Sequence, residues 1–274
     1  MKQPMRLADL HSHTALCNHA SGAPSEYLTS AAAHNLAYFG VSDHIPWPAG
    51  YDSECRMTAA QFPLYREIVR SLQRKAADDG LPLEVLYGIE LDYVPGRMAE
   101  VYAAIRNEPF DYRLGSVHYT DFGFDDPAKM SIWEERGAES VWNTYADRMC
   151  DFVQNCPFEI MAHPDLPKKF GIYPADSSYF MKRMKEALKT AAETGRAIEI
   201  NTAGLRNPAG EPYPSLELLK AAREFGMPVT FGADSHKPED VGRDFAQAVE
   251  LAKAAGYRAA CFFRAGRPCE LPFD

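Results

Sequence analysis

Short apolar runs of strand length alternate along this chain with longer stretches in which apolar residues recur every three or four positions. The two patterns predict different elements, because a strand buried on both faces is continuously apolar whereas a surface helix shows a single apolar stripe. Strands are expected at 6–11 (RLADLH), 38–43 (YFGVSD), 84–92 (EVLYGIELD), 111–118 (DYRLGSVH), 158–163 (FEIMAH), 197–202 (AIEINT) and 228–234 (PVTFGAD). Helices are expected between them at 25–36, 59–80, 99–107, 138–155, 177–195 and 214–226, and a last one at 238–256; several end in Gly or Asn, as helix C-termini do. This order predicts βα units around a parallel sheet. The remaining segment, YRAACFFRAGRPCELPFD, is either an eighth strand or a closing arm.

Size and composition sharpen that picture. At 274 residues and 46% hydrophobic content the chain can bury one large core, and one domain over 1–274 of barrel size is expected. Neither a signal-peptide stretch in MKQPMRLADLHSH nor a later membrane-length apolar window stands out, so a cytoplasmic protein with no membrane partner is expected. Six cysteines without a CxxC spacing point to reduced, mostly buried thiols, with Cys17 open as a site contact because it lies two residues from His19. The charge of −9, without a basic stripe, argues against broad nucleic-acid binding, while a few arginines and metal ions can still concentrate positive charge in one cleft for a phosphate ester.

The chemistry lies at the downstream ends of the strand-like runs. His11, His13 and nearby His19, Asp43 and His44, Glu90, His118, His163, Asp234 and His236 all fall there. In parallel α/β architectures those ends converge on one mouth, so distant segments can deliver imidazoles and carboxylates to a shared centre. Imidazole with carboxylate is the ligand set of Zn, Mn or Fe. H-x-H on a strand puts both rings on one face, as does the spacing of Asp234 and His236. Glu90 within an apolar strand is costly unless paired or metal-bound. Each histidine alone has an ordinary structural explanation, such as fixing a turn next to Asp or Pro. Seven placed alike do not. His34, late in a helix without such a partner, is the contrasting case of a surface histidine. The loop after the sixth strand, TAGLRNPAGEPYP, is expected to form a substrate-binding lip carrying Arg206.

The order H-x-H, a third His six residues on, strand-two D-H, strand-three Glu, G-S-V-H, A-H-P-D and a terminal D-S-H resembles the polymerase and histidinol phosphatase (PHP) family over nearly the whole chain. The stretches SDHIPWP, GIELDY, GSVHY, AHPDLPKKFG, EINTAGLRNPAGEPYPS and GADSHKPEDVG are similar to those of its histidinol-phosphatases. The resemblance implies a distorted (β/α)7 barrel with three divalent ions. The first would be held by His11, His13, Glu90 and Asp234, the second by Glu90, His118 and His163, and the third by His19, His44 and His236. Zinc suits these donors best, with Mn or Fe as alternatives at the carboxylate-containing pair.

Clustered divalent ions acidify water and neutralise phosphoryl oxygens, so hydrolysis of a phosphate monoester is expected, with L-histidinol phosphate as the substrate the resemblance implies. Arg206 is expected to clamp the phosphate, with Lys168 and Lys169 assisting. Asp43 and Asp165 are expected to orient imidazoles or hold a water, and either one, or a water on the metal, to protonate the departing alcohol. Asp52, Glu54, Tyr93 and Tyr119 are candidates for the substrate's amine and imidazole. Another phosphoesterase of the same family would share all the metal ligands. An amidohydrolase would carry a bridging Lys on strand four, where this chain has His118. A module that binds metal without turnover would lack reason to fill every ligand position.

Overall fold

A computed structural model describes residues 6–47 and 54–273. Seven parallel strands follow one another in sheet order: β1 (Ala8–Asp9), β2 (Tyr38–Val41), β3 (Glu84–Asp92), β4 (Tyr112–Ser116), β5 (Ile160–Met161), β6 (Ala197–Asn201) and β7 (Val229–Gly232). β7 returns to β1 through Leu10 N–H donating to Phe231 O at 3.0 Å and through a single parallel bridge between Ser12 and Ser235. The result is a distorted (β/α)7 barrel, uneven because β1 and β5 pair over two residues each. All seven expected strands are present. The β1 and β5 runs stop early because the residues after them leave the ladder to carry side chains into the mouth.

The outer layer holds α1 (Pro24–Ala33), α2 (Phe62–Asp78), α3 (Met98–Ile105), α4 (Met130–Arg136), α5 (Ala138–Asn155), α6 (Ser178–Glu193), α7 (Leu216–Glu224) and α8 (Phe245–Ala254). Each buries one stripe; α2, for example, turns Phe62, Tyr65, Val69, Leu72 and Ala76 inward. Two elements differ from expectation. α4 lies in a segment with no three-four repeat and buries only Trp133, whose indole N–H donates to Phe124 O at 2.7 Å. α8 starts seven residues later than expected, since Gly242 (φ 68°) and Asp244 (φ 62°) take the left-handed conformation and cannot continue a helix.

Inside the barrel Tyr112 lies across the floor, and its hydroxyl donates to Leu10 O at 2.7 Å. Gly40 on β2 and Gly88 on β3 make that passage: a Cβ on either would come within 2.3 Å of the tyrosine ring or hydroxyl. The last segment is an antiparallel hairpin, β8 (Ala259–Arg264) with β9 (Arg267–Pro272). Its Cys261, Phe262 and Phe263 pack with Ala8, Leu86, Tyr112, Leu114 and Ile160 and close the end of the barrel away from the ligand-bearing loops. It is thus a closing arm rather than an eighth barrel strand. Among the described residues, no helix is long and apolar enough to cross a membrane.

Candidate metal centre

The barrel mouth gathers all nine expected ligand residues. His11 and His13 follow β1 with ring centroids 5.2 Å apart, and the His13 ring stacks on His236, beyond β7, at 4.1 Å. His19 lies 4.5 Å from His236 and 5.7 Å from His44, centroid to centroid. His118 and His163, after β4 and β5, are 5.0 Å apart. Donor atoms of His11, His13 and Asp234 fall within 4.8 Å of one another, as do those of His19, His44 and His236 and those of His11, Glu90 and His163. Two of these residues, His163 (φ 26°) and Asp234 (φ 53°), hold left-handed backbones that L side chains rarely adopt, a strain typical of functional sites.

Glu90 stands at the middle, 1% exposed. Its Oε1 faces His163 Nε2 at 3.2 Å and His118 Nε2 at 3.7 Å. Its Oε2 faces His44 Nδ1 at 2.9 Å, His11 Nε2 at 3.5 Å and His13 Nε2 at 3.6 Å. One carboxylate therefore divides the imidazoles into two sets. The buried Nε2 atoms of His11, His13 and His236, and Oε2 of Glu90, make no well-aligned hydrogen bond among the described residues. Polar atoms left so at the centre of a protein are expensive, and a cation that several can share removes that cost. The donor set fits a divalent metal, and the cluster is a metal-binding site.

The opposite ring nitrogens are held from behind. Glu199, fully buried on β6, accepts from His11 Nδ1 at 2.7 Å and from the backbone N–H of His163 at 2.8 Å. Gly232 admits it, since a Cβ there would sit 2.0 Å from the carboxylate. Asp92 accepts from His118 Nδ1, lies 3.2 Å from His44 Nδ1, and takes a 2.7 Å hydrogen bond from the Arg56 guanidinium. Asp43 accepts from His13 Nδ1 at 3.4 Å, while Cys17 O accepts from His19 Nδ1 at 2.8 Å. Such acceptors fix which nitrogen points at a metal and raise its basicity. Glu199 and Asp92 were missed as site residues in the sequence, although both are carboxylates inside apolar strands, the same signal that singles out Glu90.

Several expectations need correction. Asp43 is fully enclosed: besides His13 it accepts from the backbone N–H and hydroxyl of Thr14 and from His44 N–H at 2.9 Å. Asp165, 2% exposed, accepts from Ser215 N–H at 2.7 Å and pairs with Lys168 at 3.0 Å. Neither reaches the cavity wall, so neither is placed to protonate a departing alcohol; Asp43 orients an imidazole and Asp165 braces a loop. Lys168 is 1% exposed and turned into the protein, donating to Glu211 at 3.0 Å and to Pro212 O at 2.8 Å, so it is not available as a substrate contact. Its neighbour Lys169 lines the cavity instead. Tyr93 is buried against Phe152, Glu54 is exposed away from the wall, and Asp52 lies outside the described residues. His34 stays outside the centre, its ring against Ser30 O.

The mouth opens into a cavity of about 460 Å³ walled by the imidazoles and by Tyr119, Asp125, Leu166, Lys169, Ala203, Arg206 and Tyr213. Arg206 is fixed by donating to Ala233 O at 2.5 Å and by Asp240 at 3.6 Å, and its buried Nη1 has no hydrogen-bond partner among the described residues. Tyr119 packs against Trp47 at 5.0 Å. The cysteines are not joined to one another in disulfides. Cys17 is buried with its sulfur near donor atoms of His13 and His236, and burial followed by Asp43 pushes its thiol up to about 12.

The charges of the metal-free centre follow from this packing. Burial opposes charge on His11, yet Asp234, Glu199 and Glu90 outweigh it and hold the imidazole well above its ordinary value. His44 is raised in the same way by Asp92 and Glu90 against burial. Burial and the imidazoles of His44 and His13 lower His19 to about 4, and burial with His13 presses His236 well below the ordinary range. Burial would raise Glu90, but His44, His11 and His118 keep it well below the usual carboxylate range. At pH 7 His11 and His44 are therefore protonated without metal, and both must lose a proton to act as ligands. Metal uptake at pH 7 is expected to release protons, and affinity should weaken as pH falls. Calorimetric titration of chelator-stripped protein in buffers of different ionisation heat measures this; uptake without proton release would contradict the charge assignment.

Comparison with known proteins agrees with the geometry. The PHP domain model matches residues 9–203. A probable histidinol-phosphatase of Deinococcus radiodurans is 37% identical over 257 residues, covering 93% of this chain and 96% of the relative. The histidinol-phosphatase of Lactococcus lactis is 25% identical over 265 residues, covering 94% and 95%. A crystal structure of L. lactis histidinol phosphate phosphatase complexed with zinc, L-histidinol and phosphate shares the fold at TM-score 0.82 and 23% identity, over 97% of this chain and 99% of that one. With the model matched across most of the barrel and a relative of this similarity aligned nearly end to end, the chain belongs to the PHP domain family.

Proposed function

We propose that the protein is a metal-dependent phosphomonoester hydrolase whose substrate is L-histidinol phosphate, yielding L-histidinol and phosphate. The observation that carries this reading is Glu90, whose two oxygens face separate imidazole sets at the floor of a cavity that an arginine overlooks. One ion would be held by His11, His13, Glu90 and Asp234, a second by Glu90, His118 and His163, and a third by His19, His44 and His236, with zinc suited to the imidazole donors and Mn or Fe as alternatives beside the carboxylates. Divalent ions bound there supply acidification of water and neutralisation of phosphoryl charge. The substrate assignment is supported by the histidinol-phosphatase name of the 37% identical relative.

The chain's own residues account for the rest. Arg206 lines the cavity while Ala233 O and Asp240 hold the guanidinium in place, so it is pre-set to bind phosphoryl oxygens. Tyr119 and Leu166 give the leaving alcohol an apolar wall. Glu199, Asp92 and Asp43 keep His11, His118, His44 and His13 aimed inward.

The direct test is elemental analysis of the purified chain coupled to phosphate release from L-histidinol phosphate and from a panel of nucleotides and sugar phosphates. Turnover of the panel without turnover of L-histidinol phosphate would assign another ester, and metal without any turnover would leave a binding module. Arg206→Ala is expected to raise KM for the ester by about tenfold or more while metal content stays intact. An unchanged KM would remove Arg206 from substrate binding.

A further inference from the structure

Among the described residues, three carboxylates line the cavity outside the metal-binding cluster: Asp125, Asp126 and Asp240. Two are engaged by their surroundings. Asp240 is held by Arg206 and by Arg243, the latter at 2.8 Å. Asp126 accepts the Ala128 N–H at 2.9 Å and faces the Lys129 ammonium at 3.2 Å.

Asp125 differs. Its carboxylate faces the Lys169 ammonium at 3.5 Å, beyond good hydrogen-bond length, because that ammonium donates to the Asp125 carbonyl oxygen at 2.8 Å. The side chain is a quarter exposed, so it meets the cavity. Burial opposes its charge, yet Lys169, His118 and His163 hold its carboxyl below the ordinary range. Asp125 is thus an anion at the wall, beside the His118 and His163 edge of the cluster, with an oxygen available to a ligand.

We infer that Asp125 sets the charge class of the substrate: it receives a cationic group on the leaving alcohol close to the ester oxygen, and so selects phosphate esters of amino alcohols over neutral ones. The inference rests on the phosphatase reading above. In L-histidinol phosphate the ammonium is on the carbon next to the ester-bearing carbon. His118, His163 and Asp125 line the same cavity, so a phosphoryl group held at the imidazoles puts the leaving alcohol in the space Asp125 borders, where a carboxylate rewards an ammonium. A neutral alcohol leaves Asp125 with Lys169 alone, and an anionic alcohol is repelled.

The test compares kcat/KM of the metal-loaded protein for L-histidinol phosphate and phosphoethanolamine with that for glycerol 2-phosphate and 4-nitrophenyl phosphate. In Asp125→Asn the cationic-to-neutral ratio is expected to fall roughly 10- to 100-fold, mainly through KM, and to recover in part in Asp125→Glu. Metal content is measured on each variant, and Asp125→Ser is read the same way if the Asn variant loses metal or fold. Equal losses on both ester classes would make Asp125 a structural residue and overturn the inference. So would a wild-type protein that hydrolyses neutral esters as well as cationic ones, a result that leaves the phosphatase reading standing. If no ester is hydrolysed, that reading falls and the inference with it.

Discussion

Glu90→Gln is expected to lose most of its metal and to lower kcat/KM by on the order of 10³-fold or more, about 4 kcal/mol of transition-state stabilisation. The substitution keeps size and shape but removes the charge that both imidazole sets face, at 3.2 Å from His163 and 3.5 Å from His11. An amide cannot offer two anionic oxygens, and its NH₂ would point a donor at one set or the other. Elemental analysis and phosphate release on the same preparation check the result, with chelator-stripped wild type as the reference for a folded metal-free chain. A Gln variant that kept full metal and turnover would show that Glu90 is not the shared ligand.

The second large effect is expected at Glu199. Truncation to Ala should weaken metal affinity about 10- to 100-fold, the usual loss when the acceptor behind a ligand imidazole is removed. Folding stability should fall by about 1–3 kcal/mol, because the buried His163 N–H loses its acceptor in the same step. Glu199→Gln retains one carbonyl acceptor and should lie between. Chelator competition gives the affinity and thermal unfolding of the metal-free protein gives the stability, separating the two contributions. Unchanged values of both in Glu199→Ala would remove Glu199 from the support of His11.

Most of the barrel and most of the centre are legible in the sequence for one physical reason. Strands packed on both faces are continuously apolar, so their ends are visible, and in a parallel barrel those ends are where the mouth lies. His11, Glu90, His118, His163 and Asp234 follow directly from that rule. The same rule could have found Glu199 and Asp92, each an ionisable residue inside an apolar run. The loops are less legible, because nothing in a Lys-Lys pair says which ammonium turns inward; a tight turn over Leu166–Phe170 buries Lys168 and leaves Lys169 to the cavity. Asp43 and Asp165 sit one and two residues from candidate ligand histidines in sequence, but Asp43 ends in a closed hydrogen-bond set and Asp165 turns to Ser215 and Lys168. Asp125 has no sequence signal, since its place depends on how the segment after β4 folds back over His118.

Tyr112 ties the early strands together. Its ring occupies space that Gly40 and Gly88 vacate, and its hydroxyl anchors on Leu10, so one β4 side chain spans β3 and β2 to the end of β1. A single crossbeam of this kind resists sliding of any one stave past the next. The histidines that leave β1, β2 and β4 therefore share a common mounting, and their spacing is inherited from a joint on the far side of the barrel from the solvent they meet.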